Sequence, residues 1–303
     1  MTTSSTVLLA GASGVFGRHV ARALTAAGHH VLGLGRSASN EISADLMDRD
    51  AVLRAVRGHR ADVVVHAATA LRRPPLRHQA LFATDDLRIE GTRNLVEAAR
   101  LLGARRFIGE NIVFGYGYRD HGERRLTEAD PFGVPTGDRN VDRHLAGMRE
   151  KEALPLAAGL DAVSLRFGLF YGEGGTDTVV EMLRRRRLPA VDDGGRTLPW
   201  VNLADAATAV LAAIERGRPG EEYNFVDASQ LGFGGMLRAV ATASGSPAPL
   251  TVPRWFTRLT PYAHMIMSVN MRVSAAKAKE ELGWRPRFAT VADGLRELAG
   301  HPR

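Results

Sequence analysis

The chain contains no cysteine, and only three of its 40 basic residues, Lys151, Lys277 and Lys279, are lysines. The first absence removes disulfides and Cys-ligated metals, and no metal is expected. The second leaves a surface charged by arginine, an Arg and Ala bias that resembles the imprint of a GC-rich genome. A formal charge of +7 invites a nucleic-acid reading. The basic residues, however, are scattered, balanced by neighbouring acids and never interleaved with aromatics, so no nucleic-acid partner is expected. The densest basic run, Arg184 to Arg187, could clamp an anionic substrate, but a solvated helix face is the preferred reading. No apolar run reaches membrane length, so no membrane partner is expected either.

A further absence concerns chemistry. The five tyrosines, Tyr116, Tyr118, Tyr171, Tyr223 and Tyr262, are followed at the fourth position by Asp120, Gly122, Gly175, Asp227 and Ile266. Residues four apart lie on one helix face, where a lysine can lower a phenol's pKa until it trades protons with a carbonyl oxygen. No such Tyr-x-x-x-Lys pair exists anywhere in this sequence.

What is present begins at Val7. An apolar run to Ala10 breaks into Gly11, Gly14 and Gly17, then into Val15, Val20, Ala23 and Leu24 at helical spacing. This pattern reads as strand, tight loop and helix. Glycine is needed where the chain turns sharply, where a pyrophosphate approaches the backbone and where helix packs on strand. Ser13 and the amides near Val15 and Phe16 then face phosphate. With this loop starting so early and no basic leader before it, a soluble cytoplasmic protein is expected.

The second strand is read at His30 to Leu34, and Gly35, Arg36 and Ser37 follow it, where an NAD site carries an acid. An acid would accept hydrogen bonds from the ribose hydroxyls, whereas a guanidinium pairs with a 2′-phosphate. NADPH/NADP is therefore expected over NAD(H), with Arg36 and Ser37 at the phosphate. Asp45, before Leu46, either hydrogen-bonds the adenine amino group or caps a turn.

Strand-like runs recur at Val7, Val31, Val63 to His66, Arg106 to Ile108 and Ala162 to Leu165, separated by helical stretches such as Gly91 to Val96 and Val141 to Ala158. Alternation of this kind implies an α/β fold, a doubly wound parallel sheet (Rossmann) with a smaller C-terminal α/β substrate-binding region. Residues 1–169, with 200–216 packing back on them, are read as the dinucleotide-binding domain, and 170–199 with 217–303 as the substrate-binding region. Leu71 to Thr84, with Pro74-Pro75, reads as a loop or lid. Trp200, Trp255, Phe256, Tyr262, Met265, Met267 and Met271 either line an apolar pocket or pack a helical core.

The glycine loop, Asp45-Leu46, Asp62 to Ala68, Arg166-Phe167-Gly168 through Tyr171-Gly172, Asp205-Ala206-Ala207, Tyr223-Asn224 and Leu282 to Pro286 together resemble the extended short-chain dehydrogenase/reductase family. That group includes sugar-nucleotide epimerases, dehydratases and carbonyl reductases. The resemblance covers nearly the whole chain. It implies that Ala67 and Ala68 border the cofactor and that Phe167 to Leu169 run beside the nicotinamide carboxamide; His66 is read as a strand-end residue.

The departures lie at the active site. The family's Ser or Thr ahead of Val-Tyr-Gly is missing, because Glu110-Asn111-Ile112 precede Val113-Phe114-Gly115. If Glu152 takes the family's Ala-Glu position, counting back puts His144 at the tyrosine and Met148 at the lysine. His144 and Asn111 are the candidate catalytic groups, with Glu110, Tyr116 and Tyr118 behind them. Epimerases and dehydratases, which need repeated proton transfers, are disfavoured.

Reducing an isolated ketone makes an alkoxide with a conjugate-acid pKa of about 16, against about 10 for a phenol, a gap worth roughly 8 kcal/mol. A hydroxyaryl ketone or quinone carries its own phenol beside the carbonyl. The expectation is thus an NADPH-dependent ketoreductase of an aromatic polyketide, with a substrate-derived proton and binding energy spent on positioning. The chain is similar in this to the triad-lacking polyketide ketoreductases of actinobacterial antibiotic pathways, including angucyclinone ketoreductases. Two other readings remain: a non-catalytic NADP(H) sensor, and a sugar-nucleotide reductase or epimerase with relocated groups.

Overall fold

Val63, Val64, Val65 and His66 are all buried, as expected for a strand covered on both faces of a parallel sheet. In the computed structural model, which describes residues 4–71 and 73–299, this strand lies at the middle of a seven-stranded sheet. Residues 1–3, 72 and 300–303 lie outside the described residues, although they belong to the expected ranges 1–169, 71–84 and 217–303.

The strands run in the order Glu222–Phe225, Asp161–Phe167, Arg106–Ile112, Val63–His66, Thr6–Ala10, His30–Gly35 and Ile42–Ser43, every pairing parallel. Thr6–Ala10 pairs with both His30–Gly35 and Val63–His66, so the strand order reverses there. Residue alternation divides the core. Val7, Leu9, Val63, Val65 and Ile108 pack into one cluster, while Leu8, Ala10, Leu32, Leu34, Val64 and Phe107 pack into another.

The doubly wound sheet is as expected, with two corrections of detail. Glu222–Phe225, assigned above to the substrate region, is the edge strand of the main sheet, in register with Ser164 to Phe167. The segment 71–84 is not all loop, because the helix Gln79–Asp86 begins inside it and runs through a π-helical turn, Leu87–Gly91, into Thr92–Leu102. Two prolines early in the segment suppressed the helical reading of its second half. Strand Trp200–Asn202 then leads into the helix Leu203–Arg216, which packs on Val15–Ala26.

The long helix Arg139–Ala157 is capped by Asp138, whose carboxylate accepts the amides of Asn140 and Val141. It starts beyond Ile112 at the carboxyl edge of the sheet and returns to the amino edge, where Asp161 opens the next strand. The C-terminal part is tied on through small two-stranded pairs, including Asp120–Leu126 with Asn270–Val273. Among the described residues no helix is long and apolar enough to cross a membrane.

Candidate active site

The carboxyl edge at the reversal of strand order is where open α/β sheets bind ligands. Gly11 turns the chain there with a φ of +89°, and a Cβ on it would sit 2.8 Å from Ala68 Cα and 2.9 Å from the Ala67 carbonyl oxygen. A Cβ on Gly17 would sit 2.0 Å from the Gly11 oxygen. The loop, the helix behind it and the end of Val63–His66 are therefore in backbone contact, which only glycine allows.

The helix Val15–Ala26 opens at Gly14 with no side-chain cap, leaving the first-turn amides free for an anion. Ser13 is exposed beside them, its carbonyl held by Arg18 Nη1 at 2.8 Å. This cradle has room for a dinucleotide diphosphate, and Ser13 and the amides of Val15 and Phe16 are the donors that could meet one.

At the end of the second strand Arg36 is exposed and makes no hydrogen bond or ion pair among the described residues. Ser37 joins Ser39 at 2.8 Å, and its carbonyl is bound by Asn40. Asp45 accepts the Met47 amide at 3.0 Å, the turn-capping alternative, and Leu46 is fixed by Asn94 Nδ2, which donates to its carbonyl at 2.7 Å. Asn94 was not singled out from sequence, because a buried helical asparagine has no spacing signature. Ala67 is buried and Ala68 half-buried beside Gly11. His66 accepts the Ala68 amide, and burial pushes its pKa well below the ordinary imidazole range, so it is a neutral strand-end residue. Phe16 stacks on Phe170 and meets the buried Phe167 edge-on, and half-buried Leu169 follows.

The candidate catalytic groups are largely committed. Asn111 Nδ2 donates to the Met148 carbonyl at 2.9 Å and to Glu152 at 3.0 Å, while its Oδ1 accepts the Ile112 amide. Glu110 pairs with the buried Lys151 at 3.0 Å. The Tyr116 hydroxyl donates to Asn224 at 2.8 Å and accepts from Arg166 at 3.1 Å. Burial raises its pKa to about 12, and burial pushes Tyr118 upward as well. Neither phenol is tuned downward, as an acid for carbonyl reduction must be.

His144 is fully buried, with Nδ1 2.6 Å from Asp85 Oδ2 and Nε2 3.0 Å from His78 Nδ1. Asp85 is further paired with Arg88 at 3.3 Å. Gly147 makes this possible: a Cβ there would lie 3.3 Å from Asp85 Cα, so a larger residue would push the two helices apart. Met148, four residues on from His144, is also buried and offers no charge. Among the described residues, no group of His, Asp and Glu could hold a metal ion.

Arg184 to Arg187 are exposed, and Arg185, which ends the helix Asp177–Arg184, pairs with Glu181 at 2.7 Å, in keeping with a solvated face.

The sequence pattern of the NAD dependent epimerase/dehydratase family matches residues 7–225. The chain is 34% identical over 312 residues to a 3-diazoavenalumate denitrifying reductase from Streptomyces, covering 95% of this chain and 98% of that protein. It is 31% identical to a dTDP-4-dehydrorhamnose reductase from Streptomyces griseus, over 69% of this chain and 66% of that one. Among solved structures it is similar in fold to the human epimerase family protein SDR39U1 with NADPH, with a TM-score of 0.78 at 19% identity over 98% of this chain and all of that one. A UDP-glucose 4-epimerase from Thermus thermophilus with NAD gives 0.77 at 24% identity, covering 98% of each chain.

Proposed function

We propose that this chain, which belongs to the NAD dependent epimerase/dehydratase family, is an NADPH-dependent ketoreductase of an aromatic polyketide, a hydroxyaryl ketone or quinone of angucyclinone type, in antibiotic biosynthesis. Dependence on a nicotinamide cofactor and reductase chemistry rest on the family and on its reductase relatives. One observation carries the finer reading. The two helix positions that would hold phenol and lysine carry His144 and Met148, both buried and neither open to a ligand.

NADPH, when bound, supplies a hydride. The protein's residues bind and orient: Gly11, Gly14 and Gly17 admit the diphosphate to the amides of Val15 and Phe16, Ser13 donates beside them, Arg36 and Ser37 meet the 2′-phosphate, and Ala67, Ala68, Phe167 and Leu169 wall the nicotinamide end. With no phenol of lowered pKa, the alkoxide's proton comes from the substrate's own adjacent hydroxyl. The delocalised phenolate left behind avoids most of the roughly 8 kcal/mol alkoxide penalty.

The test is incubation with C4-deuterated NADPH and a panel of hydroxyanthraquinones and angucyclinones, read by mass spectrometry. Deuterium at a carbinol carbon supports the reading. Tight NADPH binding with no label across the panel would favour a cofactor sensor.

A second reading is favoured by the 34% identity over nearly full length to the diazoavenalumate reductase. Hydride added to an arenediazonium carbon expels nitrogen gas and gives the arene, a balanced step that requires no proton donor at all. An aryl diazo compound in the same panel distinguishes the two, since its labelled product carries deuterium on an aromatic carbon.

The NADPH preference is tested at Arg36. A charge-assisted hydrogen bond contributes about 1.5–3 kcal/mol, so Arg36→Asp is expected to weaken NADPH binding by roughly 10- to 150-fold and leave NADH binding equal or better. Fluorescence titration with both cofactors measures this, and an unchanged preference would make Arg36 one more solvated arginine.

A further inference from the structure

We propose that Asp85, His144 and His78 form a directed hydrogen-bond chain whose outer atom, His78 Nε2, accepts a hydroxyl of the aromatic substrate. Its substrate class rests on the reductase reading above, while its geometry stands independently of it.

The direction follows from donor and acceptor counting. The Asp85 side chain is 1% exposed and paired with Arg88, so its carboxylate only accepts. His144 Nδ1, at 2.6 Å, must then carry the hydrogen, and in the neutral ring Nε2 keeps its lone pair. His78 Nδ1, at 3.0 Å from that lone pair, must donate. The remaining nitrogen, His78 Nε2, is left as an acceptor, and it has no partner among the described residues. The two ring planes are within 10° of parallel, with centroids 5.3 Å apart.

The surroundings hold this arrangement. Tyr262 stands edge-on to His78 at 5.5 Å and to His144 at 5.7 Å, and Phe82 and Tyr118 close the other sides of His144. His78 is half-buried, so the chain passes from a sealed carboxylate to a nitrogen that a ligand can reach. Burial, the largest influence, holds the His78 pKa below its ordinary value, which favours the neutral ring.

Position agrees with chemistry. His144 lies in the early turns of Arg139–Ala157, at the carboxyl edge of the sheet. His78 immediately precedes the helix Gln79–Asp86 on the connection leaving the carboxyl end of Val63–His66. Both therefore stand on the edge where the cofactor cradle opens. A neutral acceptor there selects a free aromatic hydroxyl, distinct from one already bonded to its own carbonyl, and leaves an unpaired lone pair against an ether.

Two measurements test this on the NADP-loaded protein. Heteronuclear NMR of the histidine ring nitrogens at neutral pH should show His78 and His144 both in the Nδ1–H form, the minor tautomer of free histidine. Asp85→Asn, which can turn an amide N–H toward His144, should convert His78 to the Nε2–H form. A wild-type His78 in the Nε2–H form would overturn the proposal. The second measurement uses emodin and physcion, its methyl ether at the hydroxyl not bonded to a carbonyl. Wild type should bind emodin about tenfold more tightly, in line with one hydrogen bond, and His78→Ala should bind the two alike. Equal affinities in wild type, or no emodin binding, would overturn it. Neither readout depends on hydride transfer, so failure of the deuterium experiment leaves both results standing.

Discussion

Glu152→Ala should lower folding stability by about 3–5 kcal/mol, the cost of stripping a buried cation of its partner. Glu152 accepts from Asn111 at 3.0 Å, from Ser164 at 2.7 Å and from Arg166 at 2.9 and 2.7 Å, tying the helix Arg139–Ala157 to two strands at once. The Arg166 side chain is only 4% exposed, and its next carboxylate, Glu222, is 3.9 Å away. Its guanidinium also lies 3.9 Å from the Phe132 ring centroid, so it cannot turn out to solvent without opening that contact. Arginine keeps its proton in proteins, so relief by deprotonation is closed. Replacing both residues by methionine should restore most of the loss, because apolar groups of similar volume leave no charge behind. Urea unfolding of the two variants beside wild type measures this; a Glu152→Ala variant within about 1 kcal/mol of wild type would mean that water or Glu222 replaces the lost partner.

The parts of this architecture that were legible in sequence are those set by local pattern. The glycine spacing from Gly11 to Gly17 and the strand–helix alternation up to Phe167 lead directly to the doubly wound sheet. Glu222–Phe225 escaped because it is a short edge strand opening on a charged residue and set among Gly and Pro. Composition there looks like the variable region around it, and only pairing with Asp161–Phe167 reveals the sheet. The site divides in the same way. Counting back from Glu152 singles out His144 within one helix, but Asp85 and His78 lie 59 and 66 residues away from it. They meet His144 only because Gly147 lets two helices touch, and helix approach has no linear signature. Glu110 and Asn111 looked available in sequence because their partners, Lys151 and Glu152, arrive from a different element.

Gly17→Ala should weaken NADPH binding by about 100-fold or more, the scale on which displacement of about 1 Å disables a positioned site. The added Cβ would meet the Gly11 oxygen at 2.0 Å, the Gly11 carbonyl carbon at 2.8 Å and Ala12 Cα at 2.9 Å. All three are backbone atoms, so no rotamer change relieves the overlap and either the loop or the helix must move. The helix is held by Phe16, Val20 and Leu24 in the main core, whereas the loop turns at the exposed Ser13 and Gly14. The loop gives way, and its amides leave the positions that a diphosphate needs. Stability should fall by only about 1–3 kcal/mol, an overpacking cost, so the folded variant remains measurable. Gly235→Ala is the matched control: its nearest neighbour would be Leu231 Cδ2 at 3.4 Å, an ordinary contact within the helix Phe233–Ala243. It should gain up to about 1 kcal/mol from helix propensity and bind NADPH as wild type does. Wild-type affinity in Gly17→Ala would place the cofactor diphosphate away from this loop.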